Sequence, residues 1–165
     1  MKIVIVSDDP DSPLFYQILN LKVEIESLVR KRVDLISISK KAIYFNRTKK
    51  LEISDNTKTK KKLEEAFQTK NYDFYIFSLN KENLSILFGE KSNILDFIDS
   101  DAEIHVFGAW SKLKALQRQN IHLFRRPGVS KLTKEFKERI VSKINSRLKS
   151  VELNNSSHSI KTTTR

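Results

Sequence analysis

The chain contains no cysteine, and only three glycines, three prolines, one tryptophan and one methionine among its 165 residues. Without cysteine there are no disulfides, zinc–thiolate sites or cysteine nucleophiles, a composition that fits a reducing interior. Three scattered glycines cannot build a phosphate-cradling loop, which disfavours nucleotide binding of the Gly-rich kind. No apolar run approaches the ~18 residues needed to cross a bilayer. The opening MKIVIVSDDPDSP lacks the long apolar core and small-residue cleavage site of a secretory signal, so it reads as a first strand and the protein as cytoplasmic, with no membrane partner. Nothing resembles a Ser-His-Asp arrangement, and no catalytic set, resident metal or cofactor is expected.

What the chain does have is positive charge, net +11, and that charge is segregated. Residues 30–62 carry 12 basic and 3 acidic side chains and residues 110–150 carry 12 and 2, whereas residues 1–29 and 63–109 are net acidic. Segregation of this kind gives the molecule a directed field, which favours a polyanionic or acidic partner if the basic segments meet in space.

Periodicity organises the rest into one α/β domain over residues 1–150 and a polar tail, 151–165, with too little apolar content to fold. Lys2 to Val6 reads as a strand, and Ser12-Pro13 as the cap and first residue of a helix. Leu14, Ile18, Leu21, Ile25 and Leu28 form its apolar stripe, before Arg30-Lys31-Arg32 closes it favourably for the helix dipole. Val33 to Ser39 reads as the second strand. Ala42 to Asn46 and Leu51 to Ser54 read as a hairpin turning through residues 47–50. Then come a helix over 59–70 with Leu63, Ala66 and Phe67 inward, a buried strand over 73–77, a helix over 81–100 broken near Gly89, a strand over 103–107, a helix over 111–119, a strand over 121–124 and a helix over 131–148. Alternating strands and helices imply right-handed crossovers and a doubly wound, mostly parallel five-stranded sheet of flavodoxin-like type, with the hairpin inserted after its second strand.

Four strand ends carry a resemblance. Ile5-Val6-Ser7-Asp8-Asp9-Pro10 is similar to the first strand of a receiver domain of the response-regulator family, where an acidic pair helps to hold magnesium; Ser7 stands at the first acidic position and Asp8 at the second. Phe74-Tyr75-Ile76-Phe77-Ser78 resembles the third, with Ser78 where the phosphoacceptor aspartate would be. Gly108 replaces the hydroxyl residue after the fourth strand, and Arg126 the lysine before Pro127 after the fifth. The resemblance therefore implies a receiver-like domain without its chemistry, since a serine hydroxyl offers neither the metal-binding charge nor the carboxylate that forms an acyl phosphate. It also implies homodimerisation through elements near the last strands, with Trp110 and Leu116 as candidates.

The remaining signal is basic. Arg30, Arg32, Arg47, Lys49, Lys50, Lys60, Lys61 and Lys62 in the first segment, and Lys112, Lys114, Arg118, Arg125, Arg126, Arg139, Lys143 and Arg147 in the second, are candidates for a phosphate backbone or an acidic protein surface, with Trp110 as a stacking platform. No helix-turn-helix, zinc-finger or RNP signature accompanies them. His105 reads as a structural histidine in mid-strand, and His122 and His158 have no partner spacing. Two other readings stand beside a non-enzymatic, receiver-like regulatory domain. One is a nucleic-acid-binding α/β protein unrelated to receivers. The other is a magnesium-dependent phosphohydrolase or nuclease using Asp8, Asp9 and Asp11, completed by Asp99 or Asp101.

Overall fold

Ile3–Asp8 (β1) and Phe74–Leu79 (β5) are buried along their whole length in the computed structural model, which describes residues 1–8, 12, 14–52, 56–89, 92–108, 120–125 and 132–163, with side chains for all but 49–52, 56 and 156–163. Strands apolar on both faces need cover on both faces, and the architecture follows from that need. The remaining elements are Phe15–Val29 (α1), Asp34–Ile38 (β2), Ala42–Phe45 (β3), Thr48–Glu52 (β4), Asn56–Lys70 (α2), Lys81–Phe88 (α3), a short 3-10 turn over Ile94–Phe97, Glu103–Gly108 (β6), Ile121–Arg125 (β7) and Lys134–Thr163 (α4). The sheet order is β4-β3-β2-β1-β5-β6-β7, with β2, β1, β5, β6 and β7 parallel and β3 and β4 antiparallel at one edge. The five parallel strands have the flavodoxin-like order, and seven strands in all make the sheet wider than a five-stranded one.

Two cores lie on opposite faces. Val4, Val6, Tyr75, Phe77 and Ile104 meet Leu63 and Phe67 of α2 and Leu84, Leu87 and Phe88 of α3. Ile3, Ile5, Phe74, Ile76 and Phe107 meet Ile18, Leu21 and Ile25 of α1 and Phe136, Ile140 and Ile144 of α4. Edge-to-face ring pairs add direction to both: Phe67 with Tyr75 at 5.0 Å, Phe77 with Phe88 at 5.0 Å, and Phe124 with Phe136 at 5.2 Å.

Several boundaries differ from those read in the sequence. α1 begins at Phe15, with Leu14 at its N-cap position and the Ser12 carbonyl accepting from the Phe15 N–H (3.0 Å) in the turn that leads in; Pro13, expected as its first residue, lies outside the described residues. The β3–β4 turn is a two-residue turn at Asn46-Arg47 rather than a loop over 47–50; both residues have positive φ, 50° and 68°, as a type I′ turn requires. The segment after Gly89 forms only a short 3-10 turn. α4 continues to Thr163 in place of ending at Leu148, since residues 149–163 contain neither glycine nor proline and extension of an existing helix is cheap. The helix expected over 111–119 lies outside the described residues.

A buried polar network fixes the amino end of the sheet. Tyr72 donates its hydroxyl to Asp34 Oδ2 (2.6 Å), Asn46 Nδ2 donates to Asp34 Oδ1 (3.1 Å), and Asn46 Oδ1 accepts from the Leu35 N–H (2.8 Å). Burial, the hydrogen bond to Asp34 and its charge all push the Tyr72 phenol above its ordinary range, and burial pushes Tyr75 up to about 12. Both must stay protonated in the folded state while the unfolded chain ionises near pH 10. Their stability contribution is therefore complete below pH 10 and is lost as pH rises above it. Tyr72→Phe is expected to cost about 1 kcal/mol at neutral pH and to flatten the alkaline loss of stability, measured by urea unfolding between pH 8 and 11; an unchanged alkaline slope would disprove the assignment.

Candidate functional site

In a doubly wound sheet the carboxyl ends of the strands are the usual working edge. Here Ser37, Ser7 and Ser78 stand side by side across β2, β1 and β5, and all three are buried. Among the described residues, the space that Ser7 and Ser78 share with Asp8, Ser12 and the start of α1 leaves no room for a water-sized molecule. Asp8 is itself buried, its Oδ1 accepting from the Asn80 backbone N–H (3.0 Å) and from Asn83 Nδ2 (2.9 Å). Asn80 caps α3 by accepting from the Asn83 N–H at 2.8 Å. The carboxylate therefore locks the β5–α3 turn, a structural task that needs no metal.

Gly108 closes the same edge. A Cβ built there would lie 2.4 Å from Leu84 Cδ1 and 2.6 Å from the Leu79 carbonyl oxygen, so Leu84 fills the space that a hydroxyl side chain would need. Asp9 and Arg126, the other residues of the expected pocket, and Asp11 lie outside the described residues. Asp99 and Asp101 do not complete a magnesium site with Asp8: they precede β6, at the amino end of the sheet, where Asp99 Oδ1 accepts from the Asp101 N–H (2.9 Å). Asp8 ends β1 at the opposite edge, roughly a six-residue strand or ~20 Å away.

The basic candidates separate into three places. Arg30 and Arg32 precede β2 and Arg47 sits in the β3–β4 turn, whose Asn46 N–H donates to the Leu35 carbonyl (2.7 Å). All three are exposed at one corner of the amino end, with Lys31. Sequence reasoning did not place Lys2 and Lys70 at this end, where Lys2 Nζ donates to the Lys70 carbonyl (3.3 Å). Lys60, Lys61 and Lys62 ride on the first half of α2, on one face of the sheet; Arg139 and Lys143 ride on α4, on the other. Among the described residues, the lysines of α2 and the basic side chains of α4 thus do not merge into one face. Arg147 is tied down, donating to the carbonyls of Asp73 (3.1 Å) and Asp101 (2.6 Å). Arg125 is exposed at the end of β7. Trp110, Lys112, Lys114, Leu116 and Arg118, and the side chains of Lys49 and Lys50, lie outside the described residues.

A third locus was missed in part. Glu103 and His105 lie two apart on β6, and His122 of β7 is in register with His105. Their ligand-capable atoms all fall within 4.8 Å of one another, which makes them the residues able to hold a metal among those described. His105 is fully buried between Phe74 (4.9 Å, stacked) and His122 (4.5 Å). Burial, then His122, Arg139 and Lys143, pushes it down to about 3, so the ring is neutral. Glu-x-His on one strand was visible in the sequence; that His122 faces it depends on a register that the sequence does not print.

No family model, curated protein or solved structure matches the chain.

Gly108→Thr, which places a hydroxyl at that strand end, is expected to destabilise the fold by about 1–3 kcal/mol through overpacking against Leu84 and the Leu79 carbonyl. Thermal unfolding checks this, and an unaltered midpoint would mean that the edge is open after all.

Proposed function

We propose that the chain is a non-enzymatic interaction domain of receiver-like build, which binds a polyanion, foremost a nucleic-acid phosphate backbone, through the corner formed by Arg30, Lys31, Arg32 and Arg47. The observation that carries this reading is backbone conformation. Arg30, with φ of 55°, caps α1 in the left-handed region, and Arg47, with φ of 68°, takes the second place of a type I′ turn. Glycine is the usual occupant of both positions, and a side chain there costs on the order of 1 kcal/mol. Two exposed arginines kept at strained positions in one corner point to a use for their guanidinium groups. The filled space around Asp8 and Gly108, among the described residues, supports the non-enzymatic half, and nothing in the reading requires kinship with receivers.

The shape of the corner follows from the core: the Tyr72–Asp34–Asn46 network sets the turn that carries Arg47, and the end of α1 sets Arg30. Four cations engaging phosphates would give a log–log salt slope near −3.6 on duplex DNA, a loss of roughly a hundredfold between 50 and 200 mM salt.

The test is a salt-titrated binding series with mixed duplex DNA, RNA and an acidic protein. Arg30→Gly with Arg47→Gly should leave stability within about 1 kcal/mol while weakening nucleic-acid binding tenfold or more. Binding to the acidic protein alone would transfer the surface to a protein partner. No binding at low salt would reject the reading, and a stoichiometric acyl phosphate after treatment with a small phosphodonor would reject its non-enzymatic half.

A further inference from the structure

The imidazole of His105 is the most expensive polar group in the described core. It is completely buried, and neither Nδ1 nor Nε2 has a hydrogen-bond partner. A phenylalanine would complete the stack of Phe74, His105 and Phe124 without that penalty. Buried polar atoms left bare call for an explanation, and an unseen ion is one of the few on offer.

The surroundings supply the rest of a ligand set. Glu103 Oε2 lies 2.9 Å from His122 Nε2 and 3.7 Å from His105 Nε2, the latter beyond hydrogen-bond reach. An ion bound tetrahedrally at ~2.1 Å from each donor would hold them about 3.4 Å apart, between the two separations from Glu103; the two imidazoles, stacked with centroids 4.5 Å apart and their donor atoms within 4.8 Å, would tilt their nitrogens toward the ion. The three donors come from two neighbouring parallel strands, whose register is fixed by the core on both sides. A rigid backbone therefore presents them, as a tight site requires. Glu103 and His122 are each partly exposed, 16% and 19%, which leaves an entry path, while His105 closes the inner side.

We propose that Glu103, His105 and His122 form a binding site for a divalent transition-metal ion of the zinc class. Two imidazoles and one carboxylate are a borderline donor set that suits zinc and its first-row neighbours and is too poor in oxygen for magnesium or calcium. The fourth position goes to water. Arg139 and Lys143 of α4 face this locus with positive charge, which weakens the hold on a cation, and the Glu103 carboxylate offsets part of that repulsion. The site is separate from the basic corner and does not depend on polyanion binding.

The test uses the full chain without a histidine tag, stripped with chelator, then titrated with zinc chloride. One zinc per chain is expected, with a rise of several degrees in Tm at saturating metal, and no rise with magnesium. Cobalt(II), as a second probe, is expected to give the visible absorption of a four-coordinate site. His122→Ala and Glu103→Gln should each weaken zinc binding tenfold or more. His105→Phe should fold at least as stably as the metal-free parent and lose the zinc-dependent rise in Tm, which separates a ligand from a packing residue. Absence of stoichiometric zinc binding would overturn the site, as would zinc binding that His105→Phe and His122→Ala leave unchanged.

Discussion

The central strands β1 and β5 carry apolar side chains on both faces, and nearly everything else in the molecule answers that constraint. Val4 and Val6 point to one layer of helices, Ile3 and Ile5 to the other, and the same division runs through Tyr75, Phe77 and Leu79 against Phe74 and Ile76. Burying a Phe or Ile side chain contributes roughly 1.5–3 kcal/mol, so leaving either face open would cost more than a small domain has to spare. The chain therefore returns through a helix after each central strand, and α1 with α4, and α2 with α3, end up back to back across the sheet.

That division also decides where charge can go. Residues 30–62 and 110–150 look alike in composition, yet the double winding sends Lys60–Lys62 and Arg139 with Lys143 to opposite faces. The convergence that does occur is smaller and lies elsewhere: the end of α1 and the β3–β4 turn both finish at the amino end of β2. In this reading function lies away from the carboxyl edge, where, among the described residues, the three serines and Asp8 are buried and Leu84 packs against Gly108.

Much of this was legible in the chain itself. Apolar runs, alternation and four-residue spacing placed six of the described strands and the apolar faces of α1, α2 and α4, because those patterns report directly on which side is covered, while β4, read over 51–54, lies at Thr48–Glu52. Legibility ended where the answer depends on a second segment. Ser12 reads as the cap of α1 where the structure has Leu14, and a left-handed Arg47 cannot be guessed when Asn-Gly is the common signature. His105 was read as a structural histidine in mid-strand, and it is fully buried there. Its neighbours Glu103 and His122 became a group only through the pairing of β6 with β7.

Gly108 and Leu84 show how one close contact can tie two positions together. Leu84 occupies the space where a side chain at position 108 would stand, its Cδ1 only 2.4 Å from where a Cβ would be. Once two residues interlock in this way, reversing either alone is penalised, by a clash in one order and by a void in the other. The two positions are therefore free to change only together, while the outer surface can vary one residue at a time.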